Sequence, residues 1–196
     1  MKSKFKFFSF FLLIAVLSFS CARKTVTRVD TSSDIDLSGR WNDADSRRVA
    51  EALSESVIES AWRNNFTNYH NRKPVVIVGL ITNKSHEHIE AETFIKDIEK
   101  ELIRSGTVRV VQNSVFREKL REERADQQEF ASPETQKRWG AELGADYMMF
   151  GTINSIVDSE GKRQVTFYQV DLELAHLETN EIVWLDGKKI KKYIVN

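Results

Sequence analysis

The sequence predicts one α/β domain in which a small mixed β-sheet packs against helices, and two observations predict it. Through the first two thirds of the chain, apolar residues at helical spacing alternate with short β-branched runs. In the last third the period changes to two, and three strand-like stretches follow one another as an antiparallel meander. The predicted order is helix, strand, helix, strand, two helices and the meander, without repeats or an internal linker.

The first element is predicted as one long helix, "NDADSRRVAEALSESVIESAWRNNF", over residues 42–66. Asn42, Asp43 and Asp45 supply an N-cap and acidic residues in the first turn. The apolar positions that recur at helical spacing are Ala50, Leu53, Val57, Ala61 and Trp62. This helix should therefore bury one face.

A buried strand is predicted at "KPVVIVGLI", a β-branched run that Pro74 opens. After the polar loop "NKSHEHIE", the stretch "IEAETFIKDIEKELIRSG" predicts a helix that ends at Gly106. The apolar side of this helix comprises Phe94, Ile95, Ile98, Leu102 and Ile103. The stretch "TVRVVQ" then predicts the second short strand.

Two helices and the meander complete the domain. "NSVFREKLREERADQQEF" predicts a heavily charged helix, and "SPETQKRWGAELGAD" predicts a second one with Ser132 as N-cap, Pro133 at the first position and Gly144 as the stop. The meander strands are predicted at "ADYMMFGTINSIVD", "VTFYQVDLELAHL" and "EIVWLDGKKIKKYIV". In the middle strand, Tyr168, Val170, Leu172 and Leu174 alternate with Gln169, Asp171 and Glu173. That alternation is typical of a half-buried antiparallel strand.

The N-terminus carries a lysine-rich start, an apolar run from Phe7 to Phe19, and then Ser20 before Cys21, the only cysteine. A basic start, a short apolar run and a small residue before the cut site are typical of a secretory signal peptide. The stretch "LSFSC" resembles a bacterial lipoprotein box, which implies that the Cys21 thiol carries diacylglycerol. Two alternatives stay open, an ordinary signal peptide with a chance cysteine and an uncleaved N-terminal anchor.

Three segments are predicted: residues 1–20 as the lipoprotein signal peptide, 21–41 as the lipidated cysteine with a flexible tether, and 42–196 as the globular domain. The tether is polar and rich in Thr, Ser and Asp. Removal of the signal peptide leaves 26 basic residues against 29 acidic ones, a net charge of about −3. This balance does not favour nucleic-acid binding, which usually shows as a strongly basic surface.

No constellation in the sequence predicts catalysis, a metal or a cofactor. His86 and His88 flank Glu87 in a polar loop near Glu90, but no further ligand stands at a diagnostic spacing. The chain lacks a G-x-S-x-G elbow, and "DGKKIKK" lacks the first glycine of a phosphate-binding loop. We therefore expect a protein that is not an enzyme.

Two groups of residues are candidates for partner binding. Lys188, Lys189, Lys191 and Lys192 lie in the last predicted strand, where lysines typically protect a sheet edge from aggregation. The alternative is a contact with an acidic partner or with anionic head groups. Trp41 and Arg40 stand at the junction of tether and domain, where Trp41 either pins the start of the first helix or is exposed in a partner-binding patch. Core positions are expected for the other tryptophans, Trp62, Trp139 and Trp184.

The stretches "DLSGRWNDADSRRVAEAL", "GADYMMFGTI" and "YQVDLELAHLETNEIVWLDGKKIKK" together resemble the LpoB-type lipoproteins, activators of penicillin-binding proteins. The resemblance covers essentially the whole mature chain. It implies a fold similar to the TolB N-terminal domain. It also implies a non-enzymatic, monomeric domain, anchored in the outer membrane and facing the periplasm. The implied partner is a class A penicillin-binding protein, a bifunctional murein synthase, whose peptidoglycan synthesis the lipoprotein activates.

Three other hypotheses remain open. A lipoprotein of the curli-assembly type would form a ring or pore, another TolB-N-like periplasmic module would bind a different partner, and a periplasmic enzyme would need a constellation that the sequence does not display. The tether is also shorter than the long Pro-rich one that enterobacterial activators use to cross the periplasm.

Overall fold

The computed structural model describes residues 24–130 and 143–195. The signal peptide, Cys21 and most of the helix predicted from Ser132, with Trp139, lie outside these residues. The chain divides into two compact units, Met1–Ser33 and Asp34–Asn196. In the first unit, residues 24–30 have no regular structure, and Asp30 accepts hydrogen bonds from the backbone and hydroxyl of Ser32.

The second unit contains the elements of the fold. In chain order they are α1 (Asp43–Glu59), α2 (Ala61–His70), β1 (Val75–Asn83), α3 (Ala91–Ser105), β2 (Arg109–Val110), α4 (Ser114–Phe130), β3 (Tyr147–Glu160), β4 (Arg163–His176) and β5 (Ile182–Val195). Within the described residues, no helix combines the length and the apolar character needed to cross a membrane.

The strands form one mixed sheet in the order β2-β1-β3-β4-β5. β1 runs parallel to both of its neighbours, and β3, β4 and β5 form an antiparallel meander. The predicted α/β class, mixed sheet and C-terminal meander are therefore confirmed. β5 lies at one edge of the sheet, which places the lysine-rich strand where the sequence predicts an edge.

The core lies between one face of the sheet and the helices. Along β4, the residues on this helix-covered face are buried and their alternates are half-buried, which confirms the predicted period of two. α1 contacts α3 and β5, and α3 contacts β1 and β2. Trp62 and Trp184 belong to the core, as predicted. The opposite face of the meander, which we call the open face, carries Ile156, Phe167 and Lys191 in one cross-strand row.

The predicted long helix is wrong in one respect, because it is two helices that break at Ser60. The backbone of Ser60 is extended, with φ −65° and ψ 152°, so it both ends α1 and starts α2. The break lets Trp62 and Phe66 turn toward Tyr147, whose ring they meet edge-on at 5.0 and 5.6 Å. Edge-to-face packing of this kind adds stability beyond area burial.

The α3 helix ends at Gly106 as predicted, with the glycine in the left-handed conformation. Phe94, Ile98 and Leu102 are buried, but Ile103 is 61% exposed. The buried side of this helix is thus narrower than predicted, because its neighbours α1 and β1 cover only the row of residues spaced four apart, Phe94, Ile98 and Leu102.

An ion pair ties the starts of β1 and β3 together. Asp146 accepts hydrogen bonds from the Val75 backbone at 2.8 Å and from the Arg72 guanidinium at 2.6 and 2.8 Å. Burial tends to raise the pKa of Asp146, but these hydrogen bonds and the charge of Arg72 outweigh it and hold the pKa below its ordinary value. The carboxylate therefore stays ionised and fixes the parallel register.

Candidate functional site

The segment between the tether and α1 packs onto the sheet. We call residues 36–45, "DLSGRWNDAD", the junction segment. It contacts β5 through Lys192, β4 through the ring of Tyr168, and the loop after β1 through Glu87. This segment holds two of the residues predicted to bind a partner, and its contacts decide what those residues can do.

Lys192 is the centre of the first contact. Its Nζ donates to Asp36 Oδ2 at 2.8 Å and to the Arg40 carbonyl at 2.7 Å, and it lies 2.5 Å from Asp45 Oδ2. The Lys192 side chain is only 11% exposed. Burial tends to lower its pKa, but the hydrogen bonds and charges of the two carboxylates outweigh burial, so the pKa of Lys192 is raised. The same hydrogen bond lowers the pKa of Asp36.

Asp45 connects this ion-pair group to the start of α1. Asn42 and Asp45 form a capping box, in which each backbone N–H donates to the other side chain at 3.0 and 3.1 Å. The predicted N-cap at Asn42 is therefore confirmed. Because Asp45 also contacts Lys192, one carboxylate joins the helix cap to the edge strand.

A tight turn precedes the helix. Gly39 has φ +67°, and its N–H donates to Asp36 Oδ1 at 2.7 Å. A Cβ at this position would run into the side chain of Ile194 on β5. Only glycine therefore combines the left-handed backbone with this close approach to β5.

Trp41 lies in the second contact. The backbone N–H of Trp41 donates to Glu87 Oε2 at 2.9 Å, and the Tyr168 hydroxyl donates to Glu87 Oε1 at 2.7 Å. The Trp41 ring meets Tyr168 edge-on at 5.4 Å, and its Nε1 donates to Ser46 Oγ at 2.7 Å. Trp41 is half-buried, so the structure corresponds to the alternative in which it pins the start of α1.

Glu87 is a residue that sequence reasoning missed. In the sequence Glu87 stands out only because it lies between His86 and His88. Its hydrogen-bond partner Tyr168 lies 81 residues further along the chain. Burial, followed by the hydrogen bond to Glu87, raises the pKa of Tyr168 well above its usual range. His86 contacts Ser155 Oγ at 3.0 Å, and His88 is exposed. Residues 24–130 and 143–195 contain no group of three metal-ligating side chains.

The other predicted binding residues are exposed. Lys188, Lys189 and Lys191 project from β5, and none of them forms an ion pair with a described residue. Lys189 and Lys191 lie on the open face, whereas Lys192 lies on the helix-covered face. The Arg40 side chain is exposed near the junction. The structure therefore does not bring the six predicted residues into one patch.

The exposed lysines have apolar neighbours. Leu185 is 63% exposed and Tyr193 is 64% exposed, and both lie on the open face with Lys189 and Lys191. On the adjacent strands, Ile156 is exposed and Phe167 is half-buried. Exposed apolar groups rimmed by polar or charged side chains are a feature of protein-binding sites.

Comparison with known proteins identifies one family. The model described as peptidoglycan-synthase activator LpoB matches residues 45–190. A comparison with curated protein sequences found no match.

Several solved structures are similar to this chain. The LpoB C-terminal domain from Salmonella enterica is 13% identical, with a TM-score of 0.44 over 74% of this chain and 98% of that one. The LpoB C-terminal domain from Escherichia coli is 12% identical, with a TM-score of 0.41 over 78% and 99%. Lipoprotein GNA1162 from Neisseria meningitidis is 14% identical, with a TM-score of 0.39 over 61% and 83%. We base the functional conclusion on the family match alone.

Proposed function

The chain belongs to the peptidoglycan-synthase activator LpoB family, and we propose that it binds and activates a class A penicillin-binding protein. The observation that carries the proposal is the match of the family model from α1 through most of β5, residues 45–190. As a member of a family of activators, the protein is a regulatory binding module, and it has no catalytic step of its own in this proposal.

The anchor is the second part of the proposal. Cys21 carries the lipid, and the domain faces the periplasm from the outer membrane. Ala22, the residue after the cysteine, supports this sorting, since it is not the Asp that retains lipoproteins at the inner membrane in enteric bacteria. A membrane anchor confines the domain to a thin layer and raises its effective concentration near the synthase, so a docking surface of modest affinity can be occupied.

The docking surface is the third part. We assign it to the outer edge of β5, where Lys189 and Lys191 adjoin the apolar groups of the open face and Lys188 lies on the other side of the strand, and to the nearby Arg40. Trp41 and Lys192 instead hold the junction segment, because their polar atoms already have partners inside the domain. Activation then requires tighter binding to the active state of the synthase than to its inactive state.

The test is a polymerisation assay. The mature lipidated chain, in detergent, is added to each purified class A synthase of the same bacterium, and glycan polymerisation from lipid II is followed. We expect a saturable, severalfold rise in turnover with one of them. Absence of binding and of any rate change with every class A synthase would contradict the proposal. A detergent-stable ring of the protein would favour the secretion-type alternative instead.

A further inference from the structure

The outer edge of β5 is open. β5 runs for 14 residues, and all of its pairing is with β4 on one side. Within residues 24–130 and 143–195, no strand pairs with its other side. An unpaired strand edge presents a row of backbone N–H and C=O groups that can bond to an added strand.

Both neighbours of this edge pack on the helix-covered face and leave the middle of the strand free. Near one end, α1 contacts β5 where Ser56 bonds to Asp186 at 2.5 Å. Near the other end, the junction segment contacts Lys192 and Ile194. From Leu185 to Lys191 the side chains are exposed except that of Ile190, which is half-buried against the core, and Asp186 is the residue that meets α1. We call these seven residues the edge segment.

The positive charge of the edge segment favours a partner strand with acidic side chains. Lys188 projects on one side of the strand, and Lys189 and Lys191 project on the other. None has an ion-pair partner among the described residues, and one acidic residue, Asp186, lies at the far end of the segment. Opposite charges directly across an antiparallel pair are stabilising, so a strand with acidic side chains at these positions fits.

A second copy of this chain fits less well in the register that brings the lysines of the two copies together. An antiparallel pair of edge segments centred on Ile190 would place Lys189 of each copy opposite Lys191 of the other. Like charges directly opposite one another are destabilising. In that register the lysines disfavour self-association, whereas they attract an acidic strand.

We propose that the edge segment binds an extended acidic segment of the partner synthase by adding it to the sheet as a sixth strand. This inference rests on the proposed function and deepens it. Backbone hydrogen bonds supply affinity in this mode of recognition, and the side chains that flank the added strand supply specificity. Lys189 and Lys191 select a partner strand in which acidic and β-branched residues alternate, with the acidic residues on the open face.

The experiment uses the mature full-length chain and a synthetic peptide, acetyl-Thr-Glu-Val-Glu-Ile-Glu-Val-Thr-amide. Control peptides carry Lys in place of Glu, or Pro at the central Ile. Amide hydrogen exchange locates the bound peptide, and fluorescence anisotropy measures its affinity. We expect protection of alternate amides within residues 185–191, because outward-pointing groups alternate along an edge strand.

Charge reversal provides the matched comparison. The double variant Lys189→Glu with Lys191→Glu should bind the acidic peptide roughly 5–30-fold more weakly, because two attractive cross-strand pairs become repulsive. The double variant Lys84→Glu with Lys162→Glu makes the same charge change at exposed lysines elsewhere, and it should change affinity less than about twofold. Thermal melts establish that both variants fold.

Three results would overturn the inference: equal binding of the Lys peptide, protection confined to other strands, or a dimer that protects the same amides without peptide. The synthase assay separates this inference from the proposed function. If the Lys189→Glu, Lys191→Glu variant activates the synthase with unchanged half-saturation, the edge inference fails and the function stands. If the acidic peptide binds the edge segment but no synthase is activated, the function fails and the edge remains an acidic-strand site.

Discussion

Lys191 and Lys192 are adjacent in the sequence and have opposite environments in the fold. A strand turns successive side chains to opposite faces, so Lys191 projects from the open face and Lys192 points to the helix-covered face. Lys192 then meets two carboxylates and a carbonyl. In the sequence the four lysines of this strand form one basic cluster, but in the fold three of them are exposed and Lys192 is ion-paired.

Lys192→Met should destabilise the domain by about 2–4 kcal/mol, because it leaves the buried Asp45 without its cation while the apolar stem still packs. Urea denaturation of the mature chain at neutral pH measures this change. Lys191→Met is the matched control and should shift the free energy of unfolding by less than about 0.5 kcal/mol. Equal effects of the two substitutions would show that the Lys192 ion-pair group contributes nothing to stability.

At the scale of elements, the junction segment behaves as part of the domain although it contains no helix or strand before α1. The left-handed turn at Gly39, the capping box of Asn42 and Asp45, and the packing of Trp41 on Tyr168 fix its course over the sheet. The sequence boundary between tether and domain stands at residue 41, whereas the compact unit begins at Asp34. Polar residues such as Asp36 that bond to the domain have the same local composition as a flexible tether.

Gly39→Ala should destabilise the domain by about 2–4 kcal/mol. Part of this is the cost of the left-handed backbone, about 1–2 kcal/mol, and the rest is the collision of Cβ with Ile194. Gly161→Ala separates the two terms, since Gly161 has φ +60° but open space around its Cβ position. It should lose only the backbone part in the same thermal or urea melt.

Ile194→Ala in the Gly39→Ala background tests the collision directly. If the close approach is real, the second substitution should cost less in this background than it does alone. Strict additivity of the two changes would argue against the contact between the junction segment and β5.

At the scale of the whole molecule, the maximum distance between the proposed lipid anchor and the domain depends on where the tether ends. If Cys21 carries the lipid as we propose and the second compact unit begins at Asp34, residues 22–33 are the connection between them. Twelve residues span at most roughly 40–43 Å when fully extended. The activator we propose must therefore meet its synthase close to the membrane that holds the lipid, or in a periplasm that is narrow at that point.

Cys21→Ser tests the anchor. The variant should lose palmitate labelling and appear in the soluble fraction, because the pathway attaches the lipid through a thiol. Ser33→Cys in the Cys21→Ser background is the control, since a cysteine away from the leader should not restore labelling. Unchanged membrane retention of Cys21→Ser would overturn lipidation at this residue.

Among the described residues, the sequence alone was enough for the order of elements, the mixed sheet and the meander, apart from the break at Ser60; the helix predicted from Ser132 stays a prediction. These features follow from periodicity, which is local: alternation along β4, the glycine that ends α3 and the cap at Asn42 are each visible within a few residues. The family also followed from contiguous motifs. The break at Ser60 was not predicted, because a helix break without glycine or proline leaves the spacing of the apolar residues nearly unchanged.

Only the tertiary structure decided which candidate residues have partners inside the domain. Glu87 joins Trp41 to Tyr168, and Lys192 joins Asp36 to Asp45, across separations that no pattern in the sequence records. Buried charges require partners, and those partners come from whichever elements the fold brings together. Periodicity determines which face a side chain occupies, but the packing of distant segments determines whether that face meets water, a carboxylate or a partner.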